Sequence, residues 1–302
     1  CVVGLPGACG KTVNVLVLRT RTTNFRAGMM SETASAPGRP QNPHDGLAFV
    51  ECEVATPYVN GLYLGGRRLA VMGCDVHDVA TSHVARVWQA HKAVISNNRL
   101  WNPGPTRHAL KLHGSKFGSD HAETRWVTIS DNQSRGKTGW VAIGLQNGQS
   151  DERVSHVVFE RNRFRGEASV RVDLLVWASQ VTVRNNVFDG TGAASGYTGV
   201  VVERRGVESP PREVRVLNNT VNKSLESIHV GLSHRDLSHK DTDKAVRVQV
   251  IGNTLRPLVT SDIMGERHGV FVGNADSITI KDNYVALTRQ GNVRRFEGIR
   301  VF

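Results

Sequence analysis

Apolar and polar positions along the chain repeat one short pattern seven times. Two or three alternating apolar residues lead into a polar pair ending in Asn, and an apolar residue follows. The segments are AVISNNRL (93–100), VTISDNQS (127–134), VVFERNRF (157–164), VTVRNNVF (181–188), VRVLNNTV (214–221), VQVIGNTL (248–255) and ITIKDNYV (278–285). The shared residue falls at Asn98, Asn132, Asn162, Asn186, Asn219, Asn253 and Asn283, so the repeat recurs every 24 to 34 residues. A second alternating run follows each: HALKLHG (108–114), WVAIGLQ (140–146), SVRVDLL (169–175), GVVVER (199–204), SIHVGL (227–232), HGVFVG (268–273) and EGIRVF (297–302). Strand-length runs of period 2, with no 3.6-residue period, predict β-structure throughout. Each repeat reads as strand, Asn turn, very short strand, loop, strand, loop. One such unit cannot bury its apolar side alone, whereas coils stacked about 4.8 Å apart bury it against one another.

Asn suits a tight corner because it tolerates left-handed backbone and its side chain can bond the backbone or the Asn one coil away. The pattern resembles the right-handed parallel β-helix of the pectate-lyase-like superfamily, over about residues 45–302. Two earlier segments, LAFVECEV (47–54) and LAVMGCDV (69–76), fit the pattern with Cys52 and Cys74 in the Asn place. These two read as small buried residues of the ladder. The expectation is an all-β, single-stranded right-handed parallel β-helix of nine coils or more. It runs as a single domain over 1–302, with 1–45 as a less regular N-terminal region holding a first strand at VNVLVL (13–18).

Alternation assigns faces to the second strand of each coil. With Leu110 and Leu112 inside, Lys111 and His113 point out. By the same rule Arg86, Trp88, Arg171, Asp173, Val201, Glu203, His229 and Arg300 point out. Stacking predicts one outward column of Tyr63, Arg86, Lys111, Ala142, Arg171, Val201, His229, Phe271 and Arg300. A neighbouring column holds Gly65, Trp88, His113, Gly144, Asp173, Glu203, Gly231 and Gly273. Cations, an aromatic and carboxylates around the small residues Ala142 and Gly144 form a candidate sugar groove. A solvated sheet face with cross-strand ion pairs accounts for the same residues.

Charge narrows the partner. The chain carries 38 Lys and Arg against 27 Asp and Glu, a net charge of +11, which favours acidic partners. Aromatic residues make up 6% of the chain, too few for a nucleic-acid stacking platform. No apolar run approaches the roughly 20 residues of a membrane span. The opening GLPGACGKT (4–12) lacks the glycine spacing of a phosphate loop. Cys1 and Cys9 could bridge, consistent with a secreted or periplasmic protein. A monomer is expected, because few apolar residues point outward.

For acidic polysaccharides, β-elimination needs a cation on the sugar carboxylate, a base for the α-proton and an acid for the leaving oxygen. Arg86 and Arg171 suit the carboxylate, Lys111 or His113 the base, and His229 or His113 the acid, with Trp88, Asp173 and Glu203 binding or orienting. Crowding by arginine would favour a neutral Lys111 amine. A polysaccharide lyase is therefore the first expectation. Asp173 and Glu203, placed on successive coils, would instead suit a retaining glycosidase. Asn42-Pro43-His44-Asp45 resembles the Asp-Pro-His-Asp motif of alginate C5-epimerases, with Asn42 in place of the first acid, and a plain turn is the other reading. A non-catalytic binding or tail-fibre-like scaffold is the remaining class. The sequence points to no definite cofactor; Ca²⁺ is a candidate on Asp173 and Glu203, and a metal in the loop 231–244 through His234, Asp236, His239, Asp241 and Asp243, a cluster that a solvated loop would equally show.

Overall fold

The computed structural model describes residues 2–3, 13–31, 44–105, 107–114, 123–136, 141–144, 154–166, 172–190, 198–203, 210–224, 226–231, 244–259, 268–286, 288–289 and 297–301. Cys1, Cys9, Asn42, Pro43, Arg171 and residues 232–243 of the charged loop lie outside them.

The chain winds as a parallel β-helix. Every strand pairing is parallel and joins a strand to its equivalent one coil away, as in Val127↔Val157, Val157↔Val181 and Val183↔Val216. The short strands after the Asn turns form a ten-stranded sheet running from Arg21–Thr23 to Tyr284–Val285. Ten strands, one per coil, meet the expectation of nine coils or more. The other two strands of each coil are continuous in Leu62–Met72 and Ala85–Ser96, so they belong to one large sheet. In Leu62–Met72 the register shifts at Gly65/Gly66, which is where the chain turns from one face to the next. Gly66 has φ +123°, and a Cβ there would lie 2.8 Å from the His44 carbonyl oxygen, so the corner takes only glycine.

Inside, equal residues stack. Leu110, Val141, Leu174, Val200, Ile228, Val270 and Ile299 follow one another by register. Phe159, Phe164 and Phe188 stack with ring centroids 5.6 Å apart. At the Asn corner each side-chain amide donates to the next carboxamide oxygen, at 2.9 Å from Asn98 to Asn132 and 3.1 Å from Asn162 to Asn186. The same oxygen accepts a backbone N–H, and the amide also bonds a buried carbonyl. Cys74 continues this column: its N–H donates to Asn98 Oδ1 at 2.9 Å, and Cys52 and Cys74 are free, buried thiols. The left-handed residue is not the ladder Asn but its predecessor, as at Asn97, Asp131, Arg161, Asn185, Asn218 and Asp282, all with φ between 53° and 59°. The turn is thus divided between a left-handed residue outside and a bonded Asn inside.

Candidate functional site

The strands Leu110–His113, Val141–Gly144, Val172–Trp177, Thr198–Val202, Glu226–Val230, His268–Val272 and Glu297–Val301 present one outer face, begun by residues 62–65 and 85–88. Register gives the first outward column as Tyr63, Arg86, Lys111, Ala142, Leu175, Val201, His229, Phe271 and Arg300. Eight of those nine positions agree with the sequence. The exception is Leu175 in the place expected for Arg171, a displacement of four residues along the strand.

That displacement removes two expected contacts. Asp173 does not stand beside Glu203 in the groove. It pairs one step earlier, next to the position of Gly199, where a Cβ would meet Val221 Cγ1 at 2.4 Å in the core. Asp173 is 1% exposed, and burial, with the Asp189 charge second, pushes its carboxyl well above the usual carboxylate range. Trp177 takes the place opposite Glu203, since Val176 pairs with Val202. The stacked carboxylate pair of a retaining glycosidase is therefore not formed. The centre of the face is apolar: Ala142, Leu175, Trp177 and Val201 form one buried cluster separate from the core.

Polar side chains gather at either side of this apolar centre. On the C-terminal side His229 is held by Glu226 Oε2 at 2.8 Å and by the Gly231 carbonyl at 2.8 Å, with its ring 4.7 Å from Phe271. Both ring nitrogens are engaged, so His229 is fixed in place, and it stands four coils from Lys111 by register. One acid–base site cannot use both.

On the N-terminal side the four residues Arg86, Trp88, Lys111 and His113 come together as expected. Lys111 pairs with Arg86, and His113 with Trp88. Arg86 Nε donates to His113 Nε2 at 2.7 Å, and the guanidinium carbon lies 5.1 Å above the Tyr63 ring. Tyr63 in turn stacks on Trp88 with centroids 5.3 Å apart and planes at 14°. Arg86 is thereby oriented from both sides. Its terminal Nη groups make no hydrogen bond among the described residues. Lys111, His113 and Trp88 face outward but are 6%, 3% and 3% exposed; Tyr63 and Arg86 are the partly open members. A carboxylate arriving from solvent meets Arg86 first.

Two histidines behind this group escaped the sequence reading. His83 and His108 occupy equivalent positions at the entry to two adjacent strands, and the His108 N–H donates to His83 Nδ1 at 3.1 Å. Burial drives the His83 pKa far down, and His108, Lys111, Arg86 and Arg107 drive it further. His83 is neutral, and the cations acting on it mark a positive potential around Arg86. The only sequence sign of this pair was a His opening both HVARVW and HALKLHG.

Of the epimerase-like tetrapeptide, His44 and Asp45 are among the described residues. His44 is buried at the corner behind Gly66, and Asp45 is bonded to Arg68 at 2.6 Å. Ca²⁺ takes roughly six to eight oxygen ligands. Among the described residues no group of three or more His, Cys, Asp or Glu is placed to share an ion. No helix among them is long and apolar enough to cross a membrane.

No protein-family model matches the chain, and no curated protein matches it by sequence. Solved structures do. The mannuronan C-5 epimerase AlgE6 A-module of Azotobacter vinelandii superposes with a TM-score of 0.57 at 14% identity, over 96% of this chain and 74% of that one. The chain has the right-handed parallel β-helix fold. The DFA-IIIase of Arthrobacter chlorophenolicus A6 in complex with DFA-III matches with a TM-score of 0.55 at 11% identity, covering 90% of this chain and 60% of that one. The family 28 exopolygalacturonase of Yersinia enterocolitica matches at 0.53 and 14% identity, covering 85% and 46%. These likenesses extend over nearly all of this β-helix and concern its fold.

Proposed function

We propose that this protein is a secreted enzyme acting on a uronate-containing polysaccharide, and that Arg86 holds the carboxylate of the reacting sugar. The observation that carries this is the preset guanidinium. Nε is taken by His113 and one face by Tyr63, while the paired Nη donors are left for a carboxylate. Neutralising that carboxylate makes the C5 proton acidic, and the same donors stabilise the enediolate formed when it leaves.

Tyr63 and Lys111 stand on the coils either side of Arg86 in one column. A sugar anchored on Arg86 would have C5 between an amine and a phenol. Lys111 takes the C5 proton from one side, and the Tyr63 hydroxyl returns a proton from the other. The carbon is inverted, and both side chains are reset by proton exchange with water. The arrangement thus favours C5 epimerisation, the activity named for the AlgE6 module. β-Elimination is the second outcome, since it starts from the same carbanion and expels the oxygen on C4. Arg107, whose charge is felt at His83, offers a further cation for that oxygen.

Incubation with polymannuronate, alginate, pectate and glucuronan in deuterated water decides between them. Epimerisation is seen by NMR as C5 inversion with deuterium at C5, and elimination as ultraviolet absorbance of an unsaturated uronate. Arg86→Lys should lower kcat/KM by roughly a hundredfold in either case, because an ammonium cannot make the paired contact. New reducing ends without deuterium or absorbance would mean hydrolysis and would overturn the reading.

A further inference from the structure

A second basic surface lies on the outside of the ten-stranded sheet, one face away from Arg86. Register places Arg99, Gln133 and Arg163 in one outward column and Trp101, Arg135 and Arg165 in the next. All four arginines are exposed. Trp101 is fixed by its indole N–H, which donates to Asp75 Oδ1 at 2.7 Å, and Arg135 lies over its ring at 4.8 Å.

At Arg135 and Arg163 the charge order differs from that of other surface arginines. At several positions exposed arginines face an acid one coil away: Arg19 with Glu51 at 2.7 Å, Arg161 with Asp131 at 2.8 Å, Arg247 with Glu213 at 2.6 Å. On this sheet Arg99 still faces Asp75, at 3.6 Å, and Arg165 faces Asp189 on one side, but Arg135 faces Arg165 directly and Arg163 faces Gln133 and Val187. Arg135, Arg163 and Arg165 form no ion pair with a described carboxylate. Like charges directly opposite on neighbouring strands are destabilising. The Arg135–Arg165 step costs stability that an anion lying across it would relieve.

We propose that this stripe is an auxiliary binding surface for the same acidic polysaccharide; it rests on the uronate reading of the Arg86 site. Three coils supply cations at successive steps of about 4.8 Å, a spacing close to the length of one sugar residue. The Trp101 ring offers an apolar face for a sugar ring. A single tryptophan stacked under arginine gives no run of stacking platforms, which argues for a polysaccharide over a nucleic acid. Trp101 ends the short strand Arg99–Trp101, and the next strand along the chain is Leu110–His113. The stripe and the Arg86 cluster therefore sit on adjoining faces of shared coils, so a chain held on one raises the local concentration at the other.

The test is the triple variant Arg135→Ser, Arg163→Ser, Arg165→Ser beside Arg86→Ala, with binding to polymannuronate, pectate, neutral dextran and single-stranded DNA measured at two salt concentrations. The triple variant should bind the uronate polymers at least ~tenfold more weakly and lose most of the salt dependence. Its turnover of a short uronate oligosaccharide should stay unchanged, and its melting temperature equal or higher. Unchanged polymer binding in a folded triple variant overturns the proposal. So does loss of DNA binding alone, which would make the partner a nucleic acid, and so does absence of any uronate-polymer binding by the wild type. Failure of the Arg86 reading is seen separately: Arg86→Ala would then keep full oligosaccharide turnover, whatever the stripe does.

Discussion

Arg86 is worth little to a substrate unless its fork is held still, and His113 does the holding. Its Nε2 lone pair accepts from Arg86, so in the resting site it is not open to take a substrate proton. In the proposed site His113 serves to position Arg86, which leaves Lys111 of the two residues, Lys111 or His113, that the sequence offered as base. A glutamine places an acceptor oxygen close to where Nε2 stands, and alanine does not. His113→Gln should therefore keep most activity, whereas His113→Ala should raise KM by roughly tenfold, the value of one charge-assisted bond, with a smaller change in kcat. Equal, near-complete loss of kcat in both variants would restore His113 as the base. The four residues of this cluster were legible because HVARVW and HALKLHG alternate without a break. Tyr63 was placed in the right column but given no role, since nothing in a sequence tells an aromatic under a guanidinium from one facing solvent.

Where alternation fails at the level of an element, the reading fails with it. In Val172–Trp177 the outward positions Leu175 and Trp177 are as apolar as the inward Leu174 and Val176, and all four are buried. A strand apolar on both faces carries no phase, so SVRVDLL was threaded four residues out of place, and Asp173, expected to face outward, is buried beside the core instead. The Asn ladder is the opposite case, because it joins a fixed spacing to a chemical requirement. Each ladder Asn satisfies buried groups on both sides, so Asn162→Ala strands the Asn132 N–H and amide donors and the Ile129 carbonyl. At ~1–3 kcal/mol for each unsatisfied buried group, the loss should exceed about 3 kcal/mol in denaturant unfolding. A loss under about 1 kcal/mol would mean the turn is carried by the left-handed Arg161 and not by the ladder. Asn162→Asp should also be costly, since it removes the two amide donors and buries a charge.

Across the whole molecule two buried groups set opposite responses to pH, and neither was visible as such in the sequence. His83 has its pKa lowered in the fold by burial and by neighbouring cations. The unfolded chain therefore binds the extra proton first, so His83 contributes stability above about pH 6.5 that is lost as pH falls. Asp173 has its pKa raised by burial. Its contribution is full below about pH 3.8 and is lost as pH rises toward its folded pKa. Between those pH values the two slopes have opposite signs, each at most ~1.4 kcal/mol per pH unit, so each offsets the other. Removing one should expose the other. His83→Asn, which keeps an acceptor for the His108 N–H, should give a protein whose stability falls more steeply with rising pH across that window than the wild type's. Asp173→Asn should instead rise with pH there and be the more stable form at pH 7. Denaturant midpoints taken from pH 4 to 8 read both slopes. If Asp173→Asn followed the wild-type curve throughout, Asp173 would not be held protonated in the fold.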